Sequence, residues 1–195
     1  VLAELVEATF PDKSMRILDV AGGKGQTQAA LRRAGYENVV SVDTRTKYAS
    51  GRPNYRYGAF DWREPLDEVD LLVAMHPDEA TDHVLLAAKH NRVPCVVVPC
   101  CIKPSATTYH LNDRAGWMAH LRRLLPEAEQ QSLPIHGCNA ALVYDPRGAP
   151  RPTNAAAARL FLRGFDASQL DDAAAVAVAA MIRERLTPRP ECSNS

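Results

Sequence analysis

Four short apolar runs punctuate the chain: residues 17–20 (ILDV), 39–43 (VVSVD), 69–75 (VDLLVAM) and 93–99 (VPCVVVP). Each is too brief for a helix and is followed by glycine or polar residues, so each predicts a buried strand. Between them the spacing changes. Leu2, Leu5, Val6 and Phe10 share one helical face and predict a helix over residues 1–10, ended by Pro11 and Asp12. Residues 26–34 predict a second helix. Ala29, Ala30 and Leu31 are available to pack, Arg32 and Arg33 suit its negative end, and Gly35 supplies its C-terminal cap. Residues 80–90 and 112–125 predict two more helices. The latter carries Trp117, Met118, Leu121, Leu124 and Leu125 and stops at Pro126. Residues 129–133 and 140–144 predict a last pair of strands. Strands alternating with helices read as an open α/β sheet. Beyond it, residues 147–152 (RGAPRP) read as a linker, residues 155–165 and 170–186 as an alanine-rich helical extension, and residues from 187 on as a disordered tail. One domain over residues 1–146 is thus followed by an appendage over 147–195, with no internal repeat.

The first strand runs directly into Ala21, Gly22, Gly23, Lys24 and Gly25 and then into the second helix. Strand, glycine loop and helix make the first half of a nucleotide-binding βαβ unit, in which glycines permit a sharp turn and close approach to a ligand. Asp43 ends the next strand about 20 residues on, where such folds hold a ribose hydroxyl. A dinucleotide site would read GxGxxG against a pyrophosphate; here an acid, Asp19, precedes the loop. The spacing Asp19-x-Ala21-x-Gly23-x-Gly25 resembles motif I of class I S-adenosyl-L-methionine (SAM) methyltransferases, with Ala21 in place of the first glycine. The resemblance implies a Rossmann-like methyltransferase sheet closed by an antiparallel hairpin, and SAM as cofactor. An acid suits a ligand that carries an ammonium and a sulfonium. The implied cofactor residues are Asp19, Ala21, Gly22, Gly23 and Gly25 from the loop, Asp43 and Thr44 after the second strand, and Met75 at the end of the fourth. The family often sets an acid after its third strand against the adenine amino group, beside an apolar residue on the ring. Asp61 matches the acid, and Phe60 or Trp62 the packing.

Composition narrows the partners. Lys+Arg and Asp+Glu each total 23, so the formal net charge is zero and no overall basic field awaits nucleic acid. Residues 44–58 nonetheless interleave Tyr48, Tyr55 and Tyr57 with Arg45, Lys47, Arg52 and Arg56. Such a mixture can hold RNA by phosphate contact and base stacking, or simply be a solvated loop. The five cysteines are odd in number, and Cys100 and Cys101 are adjacent, which does not suit a disulfide framework. Adjacent thiols without a second pair also fit structural zinc poorly, so no metal is expected there. They read instead as small apolar packing in the pocket floor. Reduced thiols point to an intracellular compartment, cytoplasmic by default, or mitochondrial if a targeting segment precedes Val1. No apolar run is long enough to span a membrane.

Ligands of open α/β sheets sit at the carboxyl ends of strands, and the fourth strand ends on His76-Pro77-Asp78-Glu79. His76 can take a proton near neutral pH, and Asp78 can orient it or a substrate. Equally, Asp78 or Thr81 can cap the following helix with His76 filling the turn. His76, Ala80-Thr81-Asp82 and later Pro99-Cys100-Cys101 resemble a subgroup of SAM methyltransferase domains whose pattern is roughly H-(A/L)-C-G-x-A-T-D, then P-C-C. That subgroup includes tRNA 2′-O-methyltransferases acting on the acceptor stem; here Pro77, Asp78 and Glu79 stand at its small-Cys-Gly step. Over residues 16–103 the resemblance implies direct displacement of the SAM methyl by an oxygen or nitrogen nucleophile. RNA is the implied substrate and protein the second, with His76 and Asp78 as catalytic candidates. The rival reading is an idle methyltransferase fold acting as a scaffold in an RNA–protein assembly, its C-terminal helices free to dock a partner.

Overall fold

The structure, a computed structural model, describes residues 1–49, 52–110 and 113–146. The linker, alanine-rich stretches and tail expected over 147–195 lie outside the described residues. In chain order the elements are helix α1 (Leu2–Thr9), strand β1 (Ile17–Val20), helix α2 (Gln26–Arg33), strand β2 (Val39–Asp43), the short helix α3 (Thr46–Ala49) and strand β3 (Tyr55–Tyr57). Then come β4 (Leu71–Met75), helix α4 (Thr81–Asn91), β5 (Cys95–Val98), helix α5 (Arg114–Leu124), β6 (Glu129–Ser132) and β7 (Ala140–Tyr144).

The seven strands form one sheet in the order β3-β2-β1-β4-β5-β7-β6. β1 pairs in parallel with β2 and β4, and β4 with β5, while β7 runs antiparallel between β5 and β6. The closing hairpin is therefore present, with its later strand on the inside. Residues 44–58 carry no apolar run to mark a strand, yet Tyr55–Tyr57 pairs in parallel with β2 at the sheet edge. An edge strand has one neighbour and faces that are half exposed, so it needs no continuous apolar run.

Side-chain parity sorts the core, because successive residues of a strand point to opposite faces. Ile17, Leu71, Val73, Val96, Val98 and Val143 join Leu2 and Val6 of α1 and Leu31 of α2 in one cluster. Leu18, Val20, Leu72, Ala74, Val97 and Leu142 join Val84 and Leu85 of α4 and Trp117 and Leu121 of α5 in the other. Helices thus cover both faces, which is why β1, β4 and β5 read as unbroken apolar runs.

The helix ends follow local chemistry. Gly35 takes φ 94°, its N–H bonds the Arg32 carbonyl, and the Tyr36 N–H bonds the Leu31 carbonyl, closing α2 with a Schellman cap. Ala29, expected to pack, is exposed. α5 starts after Asp113, whose carboxylate caps the Gly116 N–H at 2.7 Å. A single 3₁₀ turn over Asp78–Ala80 precedes α4. Neither Asp78 nor Thr81 makes a side-chain cap at that start. Among the described residues, no helix is long and apolar enough to cross a membrane.

Candidate active site

The parallel strands end along one edge, where a cleft of about 340 Å³ opens. Its wall is built from the loops after β1, β2, β3 and β4. Of the residues assigned from sequence, it brings together Ala21, Asp43, Thr44, Phe60, Asp61, His76 and Asp78. Asp19, Gly22, Gly23, Gly25, Trp62 and Met75 do not line it.

Asp19 lies beneath the glycine loop rather than on the cleft wall. It stands in register with Ser41 of β2, whose hydroxyl donates to Asp19 Oδ2 at 2.8 Å. Its carboxyl is fully buried, and Oδ1 has no partner. Burial pushes its pKa up to about 7. A Cβ at Gly22 would sit 2.5 Å from Asp19 Oδ2 and 2.8 Å from Ser41 Cβ. The packing below the loop therefore leaves no room for a side chain at Gly22. Gly23, at φ 54°, turns its N–H onto Asp43 Oδ2 at 2.9 Å, and Gly25 starts α2 at φ 76°.

Trp62 and Met75 likewise make their contacts away from the cleft. The Trp62 ring packs on His90 of α4, with centroids 4.9 Å apart, and its backbone N–H donates to His83 Nδ1 at 3.1 Å. Phe60 is the aromatic residue on the cleft. Met75 shares the parity of Leu71 and Val73 and packs against the α1–α2 cluster.

Of the acids that line the cleft, Asp43 and Asp61 are each clasped by an arginine two residues downstream. Asp43 Oδ1 accepts the Arg45 N–H at 2.9 Å and Nε–H at 2.8 Å, and Oδ2 accepts Arg45 Nη2–H at 2.8 Å. Asp61 Oδ1 accepts the Arg63 N–H at 3.0 Å and Nε–H at 2.9 Å, and Oδ2 accepts Nη2–H at 2.8 Å. Burial opposes ionisation at both sites, yet these donors hold both carboxyls below the usual range. The repeated Asp-x-Arg spacing was the sequence signal for this arrangement. The basic, aromatic stretch after β2 is likewise engaged with the scaffold. Arg52 donates to the Lys24 carbonyl, Arg56 pairs with Glu64 at 2.6 Å, and the Tyr55 hydroxyl donates to the Gly23 carbonyl at 2.9 Å. Of its tyrosines, Tyr57 is the exposed one.

The other wall follows from strand register. Met75 pairs with Val98 at the ends of β4 and β5, so the residues just beyond the two strands meet. His76 and Asp78 both adopt left-handed backbone, φ 55° and 49°, on either side of Pro77. His76 lines the cleft and is exposed, and partial burial of its ring lowers its pKa against the pull of Asp78. Asp78 Oδ1 lies 3.1 Å from Cys100 Sγ, and burial together with that carboxylate pushes the Cys100 thiol up to about 12. Neither Cys100 nor Cys101 lines the cleft floor, contrary to expectation. Asp82 has a role that the motif did not reveal. Fully buried in the first turn of α4, its Oδ2 accepts the N–H groups of Ser105, Ala106 and Thr107 and the Thr107 hydroxyl at 2.9–3.0 Å. It thereby holds the loop after β5 so that Ser105 reaches the cleft.

No family model matches the chain, and no curated protein does. Solved structures are similar to it. SAM-bound CalS10, an amino pentose methyltransferase from Micromonospora echinaspora, is 13% identical with a TM-score of 0.50, over 72% of this chain and 87% of that one. The sugar N-methyltransferase KedS8 from Streptoalloteichus sp. is 14% identical with a TM-score of 0.49, over 74% and 85%. A TehB-like SAM-dependent methyltransferase from Corynebacterium glutamicum is 16% identical with a TM-score of 0.44, over 72% and 84%. Strand order and the likeness to CalS10 together establish the Rossmann-like class I methyltransferase fold.

Proposed function

We propose that the chain is a SAM-dependent methyltransferase acting on an oxygen or nitrogen nucleophile. The observation that carries this reading is the grouping of Asp43, Phe60, Asp61 and His76 around one cleft at the carboxyl edge of a class I sheet. The wall fits the cofactor in kind: carboxylates for ribose hydroxyls and an adenine amino group, and an aromatic ring for the base. Asp43 would accept the ribose hydroxyls, Asp61 the amino group, and Phe60 would pack on adenine. SAM, when bound, supplies an already activated methyl group, so the chain's task is mainly alignment. His76, across the cleft, can accept the proton that the nucleophile releases. The Ser105 hydroxyl, carried in by the Asp82 contacts, donates its proton to the Glu79 carbonyl, so it can orient that nucleophile only as an acceptor. Asp78, the second catalytic candidate, has its Oδ1 against Cys100 and Lys103.

RNA is the narrower substrate reading, supported by the resemblance of His76, Ala80-Thr81-Asp82 and Pro99-Cys100-Cys101 to the acceptor-stem subgroup. A small molecule bearing an amine is the other, supported by the sugar substrates of CalS10 and KedS8. A second function, the idle scaffold, is favoured by one feature: Asp43 and Asp61 are satisfied by Arg45 and Arg63 without any ligand.

Calorimetry with SAM separates enzyme from scaffold. Asp43→Ala should weaken binding by about 1–3 kcal/mol, and Arg45→Ala should strengthen it by removing the competing donor. Failure of both the native chain and Arg45→Ala to bind SAM would leave the scaffold. Methyl-labelled SAM offered with cellular RNA, protein or amino sugars then identifies the substrate. His76→Ala should lower turnover roughly a hundredfold with SAM affinity unchanged; normal turnover per folded molecule removes His76 from the chemistry.

A further inference from the structure

Methyl transfer leaves one cluster of reactive groups unused. The carboxylate of Asp78 and the thiols of Cys100 and Cys101 have ligand atoms all within 4.8 Å of one another. They come from two loops, after β4 and after β5, that the Met75–Val98 register places side by side. We propose that Asp78, Cys100 and Cys101 bind a thiophilic divalent cation of the zinc type at the rim of the cleft. The reading goes beyond methyl transfer and stands without it.

The chemistry of the donor set points to this ion. Two thiolates select a soft or borderline cation over calcium or magnesium, and one carboxylate completes a three-ligand set. Metal–sulfur bonds of about 2.3 Å in a tetrahedron put the two sulfurs about 3.8 Å apart. Adjacency in sequence argued against chelation because no further donor was visible; Asp78, 22 residues from Cys100, is that donor.

The backbone around the cluster is already set. Asp78 is held in the left-handed region, a conformation that L-residues rarely adopt and that gathers at functional sites. On the opposing loop, Arg114 donates to the Cys100 carbonyl at 2.6 Å and to the Pro99 carbonyl at 3.1 Å, and the Cys138 thiol donates to the Cys100 carbonyl at 3.3 Å. These contacts fix the peptide that carries both candidate thiols. Charge also balances. Two thiolates and a carboxylate around a divalent ion leave one negative charge, and Lys103 Nζ stands 3.6 Å from Asp78 Oδ1. Three protein ligands leave a coordination position open. Because Asp78 lines the cleft, a water or substrate oxygen taken there would be polarised at the edge of the same space that His76 lines.

The test uses the full chain, kept reduced and stripped of metal. Titration with Co²⁺ should give a thiolate-to-metal absorption band that saturates at about one equivalent. Zn²⁺ should displace it and compete with a chromophoric chelator. Cys100→Ser and Cys101→Ser should each roughly halve the band, and each of these variants and Asp78→Asn should weaken Zn²⁺ at least tenfold. Cys95→Ala, at the far end of β5, should leave both readings unchanged. Melting curves of the same variants show which remain folded, and Asp78→Asn keeps the test sound if a cysteine variant does not fold. A band that never saturates, that survives the double Cys100→Ser/Cys101→Ser change, or that is lost equally in Cys95→Ala overturns the site.

Discussion

Ala21 stands where motif I has a glycine, and it takes the conformation that glycine would have taken, φ 57°. An L-residue there is disfavoured by about 1–2 kcal/mol, while a glycine would add unfolded-chain freedom worth about 0.4–1 kcal/mol. Ala21→Gly should therefore leave stability unchanged or raise it by up to about 1.6 kcal/mol, against the usual loss. Denaturant melts that show a clear loss would mean that the methyl group has a contact of its own. Asp19 makes a separate forecast. Its folded pKa is raised to about 7 by burial, so below that value the native state keeps a proton that the unfolded chain has already released. The associated stability is full below the ordinary carboxyl pKa of about 4 and is lost as pH rises through about 7. Asp19→Asn removes the titrating group, so the difference in unfolding free energy should shift in favour of the variant between pH 5 and pH 8. Parallel stability curves would rule out a titrating Asp19. The resemblance of Asp19 to the acid of motif I was legible; that it points into the protein was not, because a spacing says nothing about the face of a strand.

Strands and helices that bury a full face were readable from periodicity; of the exposed strands, β6 was expected over residues 129–133 and the residues of β3 were not marked by any apolar run. β1, β2, β4, β5 and β7 carry apolar runs, whereas β3 is Tyr-Arg-Tyr at an edge. Contacts made across elements were also hidden. Asp43 and Asp61 were recognisable by their place after strands, but their arginine clasps depend on rotamers. The meeting of Asp78 with Cys100 depends on the pairing of β4 with β5. Asp82 shows the same limit. As part of Ala80-Thr81-Asp82 it looked like motif, and its action is to organise three consecutive N–H groups of another loop. Asp82→Ala should cost at least about 3 kcal/mol, since hydrogen bonds to a buried charge are lost and their donors are left without a partner. Hydrogen exchange at Ser105, Ala106 and Thr107 should accelerate far more than in β5. Unchanged protection there would show that the loop is held by something else.

At the scale of the molecule, the sheet places all the cleft residues on one edge and leaves the opposite edge to strand starts. That polarity was implied by the order of strands and loops. A net charge of zero gives no guide to the substrate, and the alanine-rich stretches expected over 155–165 and 170–186 lie outside the described residues. One topological fact has a consequence for how the protein is made. β7, the second-to-last strand in space and the last among the described residues, fills the gap between β5 and β6. During synthesis β5 emerges with β4 on one side and nothing on the other, and its CVVV backbone remains an open apolar edge until residue 144 appears. At about 5–20 residues per second that delay is roughly 2–9 s, and such an edge invites pairing with foreign strands. Ribosome-bound chains that expose residues up to about 130 should be captured by chaperones and cleaved readily by protease. Chains that expose residues past 146 should resist both. Equal sensitivity of the two would mean that the sheet tolerates its missing strand, and that the nascent protein needs no escort across the gap.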